Sequence, residues 1–137
     1  MPELPEVETV RRGLERWVIG KKLKNIQALQ RRVERPDSWA PITSLEGAKV
    51  TGINRRGKFL WFELDRPQVL MAHLGMSGQF IVSERNANVE KHMRVRISLN
   101  TKAFEVRFID QRTFGWLSVD QSRAGIQNSA AHIALDI

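Results

Sequence analysis

Between residues 92 and 110 the sequence repeats a two-residue alternation twice, with a short polar turn between. Met93, Val95, Ile97 and Leu99 point one way from an extended segment, and His92, Arg94, Arg96 and Ser98 the other. Asn100, Thr101 and Lys102 make the turn, and residues 103–110 return with Phe104, Val106 and Phe108 on one face. Side chains alternate with period two only along a strand, so this stretch is an antiparallel hairpin with one apolar face. Such a face must be buried against a second layer. Further strands are available to build one. Residues 22–29 form an irregular strand, 50–55 and 58–64 pair around Gly57, and 69–72, 79–82 and 116–119 are short. Residues 36–41 read as a loop between two prolines, and 42–46 as a single helical turn stopped by Gly47. The four tryptophans read as core. Several short antiparallel strands at this spacing predict a sandwich or flattened barrel.

Ahead of the strands the period changes to that of a helix. Val7, Val10, Leu14, Trp17 and Val18 fall on one face. Pro5 suits the first turn, where its missing N–H costs no helical bond. Glu6 and Glu8 near the start and Arg16 near the end match the helix dipole, and Gly20 is the stop. The expected fold is therefore α+β and mainly β: a two-layer antiparallel β-sandwich with an N-terminal helix packed at one end.

Charge narrows the partner. The chain has 137 residues, with 22 Lys plus Arg against 15 Asp plus Glu, a formal net charge of +7. That length is one ordinary domain, able to bury a core without staples, and an excess of this size points to a polyanion such as nucleic acid. There is no cysteine, which removes disulfides, thiol catalysis and cysteine-ligated zinc from this chain. The three histidines fall in no HxxxH or HxH pair, so no metal site is expected. No apolar run approaches the length of a membrane span, and the N-terminus lacks the basic and apolar regions of a signal peptide. A cytoplasmic location is the expectation.

The first residues carry unusual chemistry. Removal of Met1 would make Pro2 a chain-terminal secondary amine. An α-amino group titrates near 7.7–8.0, so about a tenth is neutral at pH 7, far more than for a lysine. Such an amine attacks a carbonyl carbon or the C1′ of a sugar to give an iminium ion. Glu3 is the adjacent acid, and Glu6 either orients the amine or pairs with the helix end. Many chains begin Met-Pro, and a proline that merely shapes a terminus is the alternative.

Five separated stretches, in order, resemble one family. MPELPEVETVRRGL at the N-terminus, RRGKFL at 55–60, HLGMSGQF at 73–80, EKHMRVRI at 90–97 and DQRTFG at 110–115 are similar to bacterial formamidopyrimidine-DNA glycosylase. The resemblance implies a DNA-repair enzyme that excises oxidised purines and then cleaves the abasic site as a lyase. It makes Pro2 the Schiff-base nucleophile, Glu3 the general acid that helps open the sugar, and Glu6 an active-site carboxylate. Lys58 becomes a phosphate contact and proton donor. His92, Arg112 and His73 become DNA contacts, and Met76, Arg112 and Phe114 a wedge filling the gap left by an everted base. His73, at the end of an apolar run, fits a core histidine equally well. Basic groups at Arg55, Arg56, Lys58, His92, Arg94 and Arg96 could follow a DNA backbone, while a solvated strand face is the simpler reading of Arg96. Lys21, Lys22, Lys24, Arg31 and Arg32 read as ordinary surface. Thr113 departs from the family, which commonly has a second arginine there.

The family continues into a helix–two-turn–helix domain and a zinc finger. Residues 1–120 are thus expected to be the catalytic sandwich, and 121–137 a loop and the start of an interdomain linker. The resemblance implies a fragment with no cofactor of its own, zinc being held by the absent C-terminal part. The expected partner is double-stranded DNA containing oxidised bases or abasic sites, bound by a monomer with no membrane involved. Two other readings stay open: a catalytically silent DNA-binding module and, more weakly, a basic protein–protein module.

Overall fold

The structure, a computed structural model, describes residues 4–112 and 114–121, with side chains from Val7 onward. Helix α1 (Leu4–Val18) precedes eight strands: β1 (Leu23–Ala28), β2 (Val50–Arg56), β3 (Phe59–Leu64), β4 (Val69–His73), β5 (Gly78–Glu84), β6 (Met93–Leu99), β7 (Phe104–Asp110) and β8 (Trp116–Asp120). They form two four-stranded antiparallel sheets, ordered β1-β6-β7-β5 and β2-β3-β4-β8. The mainly β, two-layer sandwich expected from the sequence is what is found.

Alternation explains the core. Val95, Ile97, Leu99, Val106 and Phe108 from one sheet face Leu60, Phe62, Leu70, Ala72, Leu117 and Val119 from the other, all fully buried or nearly so. Phe80 bridges the layers, edge-on to Phe62 at 5.5 Å and tilted against Phe108 at 4.9 Å. Helix α1 packs on β5 and β2, an edge strand of each sheet, and closes the sandwich there with Val7, Leu14 and Val18. A 3₁₀ turn, Ile42–Leu45, lies against β1 and β8, the other two edge strands. The free edge of β8 is covered too: the N–H groups of Arg35 and Trp39 donate to Leu117 and Val119 carbonyls at 3.0 Å. Covered edges cannot pair with another chain.

Strands β5 and β6 both run antiparallel to β7, which lies between them. Residues 85–92 must therefore cross back over the outer face of β7. No apolar layer sits beneath this crossover. Arg107 does instead, fully buried. Its guanidinium donates to the carbonyls of Ala87 at 2.9 Å and Asn88 at 2.8 Å, and to the carboxylates of Glu90 and Glu105, each at 2.7 Å. Arg96 shares Glu105 at 2.7 Å. A buried charge needs full pairing, and these contacts supply it.

Two expectations fail. The tryptophans are not core: Trp17 and Trp39 are about half exposed, at 49% and 52%, and Trp61 and Trp116 are half-buried. Trp17 lies about 80° around the helix from the centre of the Val7–Leu14–Val18 stripe, so it rests edge-on against Phe104 at 5.3 Å. Trp61 and Trp116 alternate with inward residues and so occupy the outer face of their sheet. Nor is Arg96 a solvated strand face, because Glu105 holds it. The linker reading of 121–137 falls outside the described residues apart from Gln121.

Candidate active site and nucleic-acid interface

The antiparallel topology puts four connections at one end of the sandwich. These are the β2–β3 turn, the β4–β5 loop, the start of β6 and the β7–β8 loop. They carry Lys58, then His73 and Met76, then His92, then Arg112 and Phe114. Helix α1 begins at this same end. Glu8 accepts from Arg55 Nε at 2.6 Å, and Arg55 lies two residues before the turn at Gly57, whose φ is 60°. Glu8 also accepts from Arg11 and Arg12. Hydrogen bonds from Arg11 and Arg55 hold its carboxyl far below the usual carboxylate range. Pro2 and Glu3 lie outside the described residues, as does the side chain of Glu6.

The organiser of this end is a residue the sequence reading passed over. Asp110 is fully buried. Its Oδ1 accepts from Ser77 Oγ at 2.5 Å and from the Arg112 N–H at 3.2 Å; its Oδ2 accepts from the Gly115 N–H at 2.6 Å. The Arg112 N–H also donates to Ser77 Oγ at 3.1 Å. One carboxylate thus shapes the 110–115 loop and ties it to the 73–78 loop. Arg94 Nε donates to the Asp110 carbonyl at 2.9 Å, and the Asp110 N–H to His92 O at 3.0 Å, which adds the start of β6. An Asp followed five residues later by Gly is the available sequence signal, since Asp side chains commonly bond loop N–H groups ahead of them.

Glycine makes the loop contact close enough. Gly75 has φ of 60°, and a Cβ there would meet Gly115 N and Phe114 C at 2.9 Å. A Cβ on Gly115 would meet His73 O at 2.8 Å. The loops raise Met76 and Phe114 into solvent, 40% and 59% exposed.

His73 is half-buried among aromatic rings, as the core reading expects. Its ring stacks on Trp116 at 5.6 Å and 13°, and meets the Phe59 edge at 4.8 Å. Its Nδ1 accepts from the Gly75 N–H at 3.1 Å, which puts the ring proton on Nε2. Burial, then the charges of Lys58 and Arg35, push its pKa below the usual value. His73 is therefore a neutral donor through Nε2, half-buried beside Lys58. Arg35 lies over the other partner of this stack, 4.6 Å from the Trp116 ring.

Of the six basic groups expected along a backbone, three are engaged in the fold: Arg55 with Glu8, Arg94 with Asp110 O, and Arg96 with Glu105. Arg56, Lys58 and His92 remain, with the Arg112 side chain, free of ion-pair partners among the described residues. No group of three His, Asp or Glu residues that could hold a metal ion occurs among the described residues, and none of their helices is long and apolar enough to cross a membrane.

Residues 1–117 match the family described as the formamidopyrimidine-DNA glycosylase N-terminal domain. The chain is 44% identical over 151 residues to the formamidopyrimidine-DNA glycosylase of Thermobifida fusca, covering 99% of this chain and 51% of that one. It is 45% identical over 141 residues to the enzyme of Nocardioides sp., covering 99% and 48%. Among solved structures, it is similar to the Lactococcus lactis formamidopyrimidine-DNA glycosylase bound non-covalently to DNA containing an AP site. The TM-score is 0.84 at 32% identity, over 95% of this chain and 49% of that one. MutM in complex with carbocyclic 8-oxo-G-containing DNA gives 0.85 at 32% identity, over 96% and 48%. The chain spans about half the length of the curated relatives it matches.

Proposed function

Because the chain belongs to the formamidopyrimidine-DNA glycosylase N-terminal domain family, we propose that it is the catalytic half of a DNA glycosylase that excises oxidised purines and carries AP lyase activity. The observation that carries this reading is the gathering of Lys58, His73, Met76, His92, Arg112 and Phe114, from separate chain segments, at the end of the sandwich where α1 begins. Residues 1–120 act as the catalytic domain, and 121–137 lead toward the rest of the protein.

The chemistry follows from the groups. The damaged nucleotide leaves the stack, since C1′ is otherwise out of reach. Met76 and Phe114 enter the vacated step as apolar wedges, and the Arg112 fork reads the acceptor edge of the orphaned base. The free Pro2 nitrogen gives its electron pair to C1′, and the bond from C1′ to the base breaks with that pair leaving on the base. Glu3 delivers the proton that lets the sugar ring open at O4′, and Glu6 orients the amine. The resulting iminium acidifies the C2′ proton. Its loss breaks the C3′–O bond, the β-elimination; a second elimination at C5′ then completes the gap. Lys58 neutralises a flanking phosphate and donates a proton, and His73 and His92 add contacts to the backbone. Zinc, which the resemblance implies for the family's C-terminal finger, finds no donor set here: the chain has no cysteine.

The test separates excision from binding. A positioned acid contributes about 10²–10⁴-fold, so Glu3→Gln should lose excision from 8-oxoguanine duplex by that factor and keep DNA affinity. Equal loss of both would make Glu3 a structural residue and remove the acid from the scheme.

A further inference from the structure

The end of the sandwich opposite the wedge loops holds a groove that the proposed reaction does not use. Three shallow clefts, of about 540, 510 and 400 Å³, meet around the β6–β7 turn, and Arg85 and Lys102 line all three. Lys24 lines two of them and Lys22 one. These four cations have no carboxylate partner among the described residues. Two acids reach the same walls. Glu105 is already neutralised by Arg96 and Arg107, each at 2.7 Å, and Glu84 stands exposed. The groove is thus electropositive along its length.

Its apolar wall is aromatic. Trp17, at the last turn of α1, is held edge-on by Phe104 with an interplanar angle of 76°, and Trp17 lines the same cleft as Arg85 and Lys102. An aromatic face beside a track of unpaired cations suits a nucleic acid strand whose bases are free to stack. Strand β7 has seven residues, so this groove lies roughly 20 Å from the Asp110 loop.

We propose that this groove binds single-stranded nucleic acid, with one unpaired base on the Trp17 ring, its flanking phosphates on Arg85 and Lys102, and the next phosphates on Lys24 and Lys22. The proposal needs neither the lesion chemistry nor the Pro2 amine.

The test is a fluorescence titration of the 137-residue chain with a labelled oligothymidylate of about ten nucleotides. The same titration is run with a duplex of equal length, with thymidine monophosphate and with polyglutamate. The oligothymidylate should bind with a salt slope near −3, about four phosphates at roughly 0.7 each. Trp17→Leu should weaken it by about tenfold, toward the low end for one base–aromatic stack. Arg85→Glu with Lys102→Glu should weaken it further and flatten the slope. Arg31→Glu with Arg32→Glu, the same charge change on another exposed segment, should leave it within about threefold. Equal weakening by that control pair, or no effect of Trp17→Leu, would overturn the site. Duplex or polyglutamate binding as well as the oligothymidylate would overturn the single-strand assignment, as would thymidine monophosphate competing at similar concentration.

Discussion

Replacing Asp110 with asparagine removes a charge and one acceptor from a fully buried site. The carboxylate takes three donors: Ser77 Oγ, the Arg112 N–H and the Gly115 N–H. An asparagine can turn its oxygen to Gly115 and donate its amide to Ser77 Oγ. It then faces the Arg112 N–H with a donor, and the remaining bonds lose their charge assistance. Bonds to charged groups are worth about 1.5–3 kcal/mol and neutral ones about 1, so the expected cost is about 2 kcal/mol. Alanine also leaves the buried Gly115 N–H unpaired and opens a void, for about 4 kcal/mol in all. At this chain length 1 kcal/mol moves the midpoint by about 4 °C. Thermal unfolding should therefore show falls of about 8 °C for Asp110→Asn and about 16 °C for Asp110→Ala. Amide exchange should speed up first at Gly115 and Arg112, because the loop loosens before the sheets do. An Asn variant within about 0.5 kcal/mol of the parent, or an Ala variant no worse than Asn, would refute the view that this carboxylate organises both loops.

Two further outcomes follow from the same end of the molecule. Gly75→Ala, at φ of 60° with backbone 2.9 Å from the new Cβ, should cost about 2 kcal/mol or more in urea unfolding and shift Phe114; near-neutral stability would mean the loops are not in contact. The lowered pKa of His73 gives a signed pH effect: the folded state favours the neutral ring, so as pH falls through about 6.5 the unfolded chain takes the proton first and stability drops. Midpoints measured from pH 7.5 to 5 should show that fall in the parent and a flatter profile in His73→Gln, and parallel profiles would assign the effect elsewhere.

The parts of the fold that alternate strictly were legible in the sequence. The hairpin of β6 and β7 follows from period two, and the stops at Gly20 and Gly47 agree with φ values of 88° and 92°. Strand β5 was expected over 79–82 and runs Gly78–Glu84, because pairing with β7 extends it beyond its apolar residues. The tryptophans misled because size and apolarity do not say which face of a sheet a residue takes. Arg107 and Asp110 were missed for a related reason. A charged residue in a strand reads as solvent-facing, and only the crossover of 85–92 and the meeting of two loops bury these two. The candidate site was legible as motifs, by resemblance; that its loops hang from one carboxylate was not, since Ser77 and Asp110 are 33 residues apart.

The proposed reaction turns on the amine at Pro2 as the nucleophile. Borohydride reduction of a mixture of the chain, freed of Met1, and duplex DNA bearing an abasic site or 8-oxoguanine should trap a covalent complex. Peptide mass mapping should put the reduced sugar on Pro2, and Pro2→Gly, which keeps a terminal amine but changes its placement and basicity, should lose most of the product. A cross-link mapped to Lys58 or another lysine, or undiminished trapping by a chain with a blocked N-terminus, would contradict the account.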